Sequence, residues 1–265
     1  IQVLECYMMR KLTSKLTHHP KRLVNGESGH SLKIVQLSIL PYFYRMQMRW
    51  WEKWASYVYE IRKEVTSSDY NDHLEVLISK GRYQLCTENA IYSYDDLYDN
   101  YYKAFQILLE EGLQFERVLV LGLGLGSIPS MLERKFGMDA NYTAVEIDEE
   151  VVRLAHKYVL LSLSSNITVY TADAQIFVDQ HTDKYDLICI DLFVDDVIPN
   201  KFQTVEFLNS VKDLLMPEGN VMYNRLSRTD QDKEKTTTFM EEKFRRAFPD
   251  ARHLDLRGNW MLLNH

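Results

Sequence analysis

From Val118 onward the chain switches repeatedly between two hydrophobic periods. Short apolar runs, VLVL at 118–121, YTAV at 142–145, ITVY at 167–170 and YDLICI at 185–190, alternate with stretches whose apolar residues recur every three or four positions. Continuous apolar runs of that length suit parallel strands covered on both faces, and the longer period suits amphipathic helices. The pattern predicts helices over 128–136, 148–161, 203–215 and 232–248. It also predicts a strand over 219–224 after the Pro217-Glu218-Gly219 turn, and an antiparallel hairpin of 252–256 and 259–263 joined by Arg257-Gly258. The expectation is an α/β fold: a mostly parallel sheet with a reversed last strand and helices on both faces.

Ahead of that region the period shortens to two. Leu74, Val76 and Ile78 alternate along one run, Gly81 supplies a turn, and Tyr83 to Cys86 follows, so residues 67–103 read as a small β-domain before a nucleotide-binding domain at 104–265. Residues 48–66 read as an amphipathic helical segment, with Trp50, Trp51, Trp54, Val58 and Ile61 at near-helical spacing for packing on the domain or at a homodimer contact. Residues 1–47 match neither period. They read as a leader outside the functional unit, with a basic docking arm as the alternative.

Composition narrows the partners. The chain has 265 residues, 46% hydrophobic and 26% charged, which is ordinary globular composition. The first 47 residues carry seven Lys/Arg against two Asp/Glu, so the remaining body has a net charge of −12 within a total of −7. An acidic body argues against nucleic acid, whose stacking platforms need a basic surround. The apolar run 34–44 contains Pro41 and is too short to cross a bilayer, so no membrane role is expected. Cys6, Cys86 and Cys189 are far apart and form no zinc pattern, which suggests a reduced, cytoplasmic setting and no metal.

The chemistry gathers at strand ends. VLVLGLGLGS at 118–127 places Gly122, Gly124 and Gly126 where a strand turns into a helix, so a ligand can lie against bare backbone. Ser127 stands where the strict dinucleotide motif wants glycine or alanine. Glu146, 24 residues after Gly122 and followed by Ile147, is spaced to accept ribose hydroxyls. Asp173, before Ala174, is read either as the acceptor of an adenine amine or as an N-cap. Asp191 closes the fourth strand at the same edge. Asp95 and Asp96 are read either as carboxylates for an ammonium or as acids at a helix N-terminus, with Tyr101 in the aromatic run behind them.

The succession VLVLGLGLGS, VEIDEEVVRLAHKY, TADAQIF and YDLICIDLF resembles the class I S-adenosylmethionine-dependent methyltransferases. Within them it is most similar to the spermidine synthases, or polyamine aminopropyltransferases. The resemblance runs from about Ser67 to His265 and includes the small β-domain that such enzymes place over the active site. It implies a Rossmann-like methyltransferase fold and an adenosyl sulfonium donor, either S-adenosylmethionine or its decarboxylated form. It also implies a polyamine or other small-molecule acceptor, with Asp191 as the base that takes the amine proton.

The family's second motif aspartate falls at Val194, next to Asp195, which serves if the loop shifts, and its glycine-loop aspartate is Leu125 here. Those departures leave methyl transfer to a small acceptor as an alternative, followed by a non-catalytic nucleotide-binding role and then by an NAD oxidoreductase.

Overall fold

The computed structural model describes residues 33–35 and 48–265, apart from residues 89, 90 and 195. Its strands in chain order are β1 (Lys33–Val35), β2 (Ile61–Thr66), β3 (Leu74–Ser79), β4 (Arg82–Cys86), β5 (Ile91–Ser93), β6 (Arg117–Leu121), β7 (Asn141–Glu146), β8 (Asn166–Thr171), β9 (Tyr185–Ile190), β10 (Leu215–Leu226), β11 (Arg252–Asp255) and β12 (Asn259–Leu263). Two sheets result. Strands β2 to β5 form an antiparallel meander, and the remainder form a sheet of order β1-β8-β7-β6-β9-β10-β12-β11.

Strands β8, β7, β6, β9 and β10 are parallel, while β12 inserts antiparallel between β10 and β11. This is the class I methyltransferase arrangement with its reversed last strand. The central strands β6 and β9 are largely apolar because both faces are covered. Val118, Val120, Leu187 and Cys189 face one core and Leu119, Leu121, Ile188 and Ile190 the other. The first core receives α2 (Asp99–Glu110), α3 (Ser127–Phe136) and α4 (Glu149–Tyr158), and the second receives α5 (Ala174–Gln180), α6 (Val205–Asp213) and the C-terminal part of α7 (Asp230–Phe239).

Three expectations are corrected. The segment 48–66 is not one helix: α1 spans only Trp50–Ala55, and Ile61–Thr66 is strand β2 paired with β3. The chain turns at Ser56, whose hydroxyl donates to the Lys53 carbonyl and accepts from the Gly81 amide. Trp50, Trp54 and Val58 are 77%, 70% and 87% exposed, so their helical spacing does not mark a core-facing stripe.

The helix expected over 232–248 starts at Asp230 and is interrupted by a π turn at Met240–Phe244. Part of the leader joins the fold, since β1 pairs antiparallel with the outer edge of β8. The rest of the leader lies outside the described residues. None of the described helices is long and apolar enough to cross a membrane.

Candidate active site

Consecutive strands run outward in opposite directions from the β6–β9 boundary, and the carboxyl ends there open a crevice. Gly122 leaves β6 with φ +89°, and a Cβ on it would stand 2.2 Å from the main-chain oxygen of Asp191. Gly126, the residue before α3, has φ +91°, and a Cβ there would meet Leu160 Cδ2 at 2.5 Å. At these two places the loop needs glycine for both conformation and space.

Glu146 fastens this loop. Its Oε2 accepts from the amides of Leu123 and Gly124 at 3.1 and 3.2 Å, and its Oε1 from those of Ile147 and Asp148 at 2.9 and 3.2 Å. Burial pushes this carboxyl up, and the amides of Asp148 and Gly124 act against that. Glu146 lines a cleft of about 340 Å³ together with Gly122, Gly124, Ile147, Ala174 and Asp191.

Asp191 also enters from a strand end, anchored by its amide to the Leu121 carbonyl at 2.8 Å. Asn224 Nδ2 donates to its Oδ1 at 2.8 Å, and the Tyr98 hydroxyl bonds to the same carboxylate. Burial dominates and pushes the Asp191 carboxyl up to about 6, the two hydrogen bonds lower it, and the Glu146 charge raises it further. A carboxylate that titrates there is still ionised at neutral pH, and is a stronger base than an ordinary aspartate.

The meander roofs this cleft with Tyr70, Asn71, Tyr92 and Ser93. It is pinned at several points. Asp148 caps α4 through the amides of Glu150 and Val151 and also receives Ser68 Oγ and Asn71 Nδ2. Glu64 on β2 accepts from Arg153, Lys157 and Tyr158 at 2.6 to 2.7 Å, and although burial opposes it these bonds bring its carboxyl down to about 2. Ser127, the departure from the dinucleotide motif, pairs its hydroxyl with Ser93 Oγ at 2.6 Å and accepts from the Tyr94 amide at 3.1 Å. A hydroxyl at that position staples the roof to the glycine loop.

The other residues that the sequence singles out are placed elsewhere. Asp173 is an N-cap, accepting from the amides of Gln175 and Ile176 and pairing with Lys201; it is not among the cleft-lining residues, although Ala172, Ala174 and Lys201 are. Asp95 and Asp96 are not among the cleft-lining residues. Asp95 accepts from Ser130 and both its oxygens from Arg134, and Asp96 pairs with Arg82. Both are buried at 2% and 3% exposure, where a carboxylate requires such partners.

Tyr101 is fully buried behind the cleft. It donates to the Ile190 carbonyl at 3.2 Å and stacks on Tyr98 at 5.8 Å between ring centroids. Leu125 is fully buried in the core, and Asp195 lies outside the described residues.

Sequence reasoning missed Asn224, and singled out Tyr98 only as part of the aromatic run beside the acidic cluster. A signal for Asn224 was present, since a polar amide directly after the apolar run Val221 to Tyr223 needs a partner where the strand is buried. Among the described residues, no group of three or more His, Cys, Asp or Glu side chains is arranged to hold a metal ion.

Residues 107–254 match the family described as Spermine/spermidine synthase domain. The chain is 36% identical over 115 residues to a polyamine aminopropyltransferase of Vibrio vulnificus, covering 42% of this chain and 38% of that protein. It is 33% identical over 106 residues to a probable polyamine aminopropyl transferase of Bifidobacterium longum, covering 40% of this chain and 23% of that protein. The matched region thus spans well under half the length of these curated relatives. A crystal structure of a probable spermidine synthase from Corynebacterium glutamicum superposes with a TM-score of 0.61 at 19% identity, over 76% of this chain and 78% of that one. That likeness is one of fold.

Proposed function

The chain belongs to the spermine/spermidine synthase domain family, and on that basis we propose that it is an aminopropyltransferase acting on a polyamine, with decarboxylated S-adenosylmethionine as donor. The observation that carries this reading is the convergence of Asp191, Glu146 and the glycine loop on one cleft under the β-meander. The nucleoside end of the donor lies against Gly122 and Gly124, and its ribose hydroxyls take the place of loop amides on the Glu146 carboxylate. The residues fit such a ligand, because bare backbone and a carboxylate already line the same wall.

Transfer is an in-line displacement at the carbon next to the sulfonium. The amine lone pair forms the new C–N bond, the C–S bond breaks, and its electrons return to sulfur as a neutral thioether in methylthioadenosine. The amine must shed a proton, and an alkyl ammonium in water has a pKa near that of lysine, about 10. Asp191 accepts that proton before the attack, which frees the nitrogen lone pair for the new bond. General-base assistance of this kind contributes roughly 10²–10⁴-fold. Tyr92, Tyr98 and Phe193 supply aromatic walls for the methylenes of the acceptor.

The test is incubation with putrescine and either decarboxylated or full S-adenosylmethionine, with products read by mass spectrometry. Spermidine and methylthioadenosine in equal amounts, from the decarboxylated donor only, are the expected result. Methylated product from the full donor, with putrescine left untouched, would replace this reading by methyl transfer.

A further inference from the structure

Behind Asp191 two buried amides on adjacent antiparallel strands form a chain that ends on its carboxylate. Asn224 on β10 donates to Asp191 Oδ1 at 2.8 Å, and Asn259 on β12 donates through Nδ2 to Asn224 Oδ1, also at 2.8 Å. They are 0% and 6% exposed. Asn224 stands opposite Met261 and Asn259 opposite Leu226, so the two amides are diagonal neighbours across the strand pair, within reach of each other.

An asparagine amide has two ends of opposite polarity, and a half-turn about its last bond exchanges them. Flipped, Asn224 would set its oxygen against the Asp191 carboxylate and its NH₂ against the NH₂ of Asn259. Both contacts repel. The donor from Asn259 therefore selects the orientation in which Asn224 donates to Asp191.

We infer that Asn259 is a positioning residue for Asp191, acting through the Asn224 amide to orient that carboxylate and keep it ionised for its role as base. This rests on the reading of Asp191 given above. Other groups also face Asp191. Tyr98 bonds to it, Tyr101 and Cys189 stand nearby with burial holding them protonated, Glu146 adds like charge, and Arg228 acts on Tyr98. A change at Asn259 alters none of these side chains.

The test follows the Asp191 carboxyl by ¹³C NMR across pH in the free protein, its signal assigned by its loss in Asp191→Asn. Removing a hydrogen bond made to the charged form raises a pKa. Asn259→Leu should raise the midpoint by about half a unit or more and Asn224→Leu by about one unit. The double variant should go no further than Asn224→Leu alone, since one residue acts through the other. Turnover by Asn259→Leu should show the acidic limb of kcat/KM moved to higher pH with donor KM unchanged.

Asn259→Ala replaces the leucine variant if the latter does not fold. An unmoved midpoint in a folded Asn259 variant, or additive shifts in the double variant, overturns the inference. The carboxyl titration needs no turnover. A protein inactive toward every polyamine would sink the aminopropyl reading and leave this measurement still decisive.

Discussion

The main-chain oxygen of Asp191 occupies the space that a side chain on Gly122 would need, 2.2 Å from the Cβ position. The glycine and the aspartate follow neighbouring parallel strands, so the glycine loop and the proposed base are in direct backbone contact. Gly122→Ala meets a steric penalty as well as a left-handed conformation at φ +89°. Forcing a non-glycine residue there costs about 1–2 kcal/mol and overpacking roughly another 1–3. The variant should lose about 2 kcal/mol or more in urea denaturation and bind methylthioadenosine weakly. Wild-type values of both would refute the packing described.

Asp191→Asn separates chemistry from binding. It preserves shape but accepts no proton, so kcat should fall by about 100-fold or more with little change in donor affinity. In the wild type, kcat/KM should fall as pH drops through about 6, where the base becomes protonated. The stability effect runs the opposite way. Because the folded pKa lies above the unfolded value near 3.9, ionisation disfavours the folded state, and stability is lost as pH rises from about 4 through 6. Asp191→Asn should therefore be more stable than the wild type at pH 8, by about 2 kcal/mol, and closer to it at pH 4. Thermal unfolding at the two pH values checks this.

Glu146→Ala removes the proposed ribose acceptor and frees four loop amides. Calorimetric titration with methylthioadenosine should show at least a tenfold weaker Kd, about 1.4 kcal/mol, from loss of charge-assisted hydrogen bonds. Affinity within a factor of two of the wild type would remove Glu146 from the site.

Asp95→Ala addresses the displaced acidic pair. Asp95 binds Ser130 and Arg134 rather than the cleft, so the variant should lose about 1–3 kcal/mol of stability while acceptor KM stays within twofold of the wild type. A large rise in acceptor KM at unchanged stability would return Asp95 to the amine pocket.

Much of the fold was written in local pattern. The runs VLVL, YTAV, ITVY and YDLICI predict buried strands because both faces of a parallel sheet are covered, and the hairpin at 252–263 announces itself by Arg257-Gly258. The glycines at 122 and 126 and the strand-end acids Glu146 and Asp191 were legible for the same reason. The backbone demands and spacing of the glycines and Glu146 are local to one βαβ unit, and Asp191 directly ends its own apolar run.

Other features were decided between distant segments. Ile61–Thr66 looked helical beside Trp50 and Trp54 but is a strand, because β3 supplies its ladder bonds. Asp95 and Asp96 read either as amine ligands or as acids at a helix N-terminus, and only the fold brings in their partners Arg134 and Arg82, 39 and 14 residues away in the chain. Asn224 and Asn259 meet only because β12 runs back between β10 and β11. Sequence by itself determined the periodicity, the loop that only glycine can make and the acids at the strand ends. Tertiary structure decided which of the acids are taken up by ion pairs within the protein and which line the cleft, because hydrogen-bond and ion-pair partners are chosen by proximity in space.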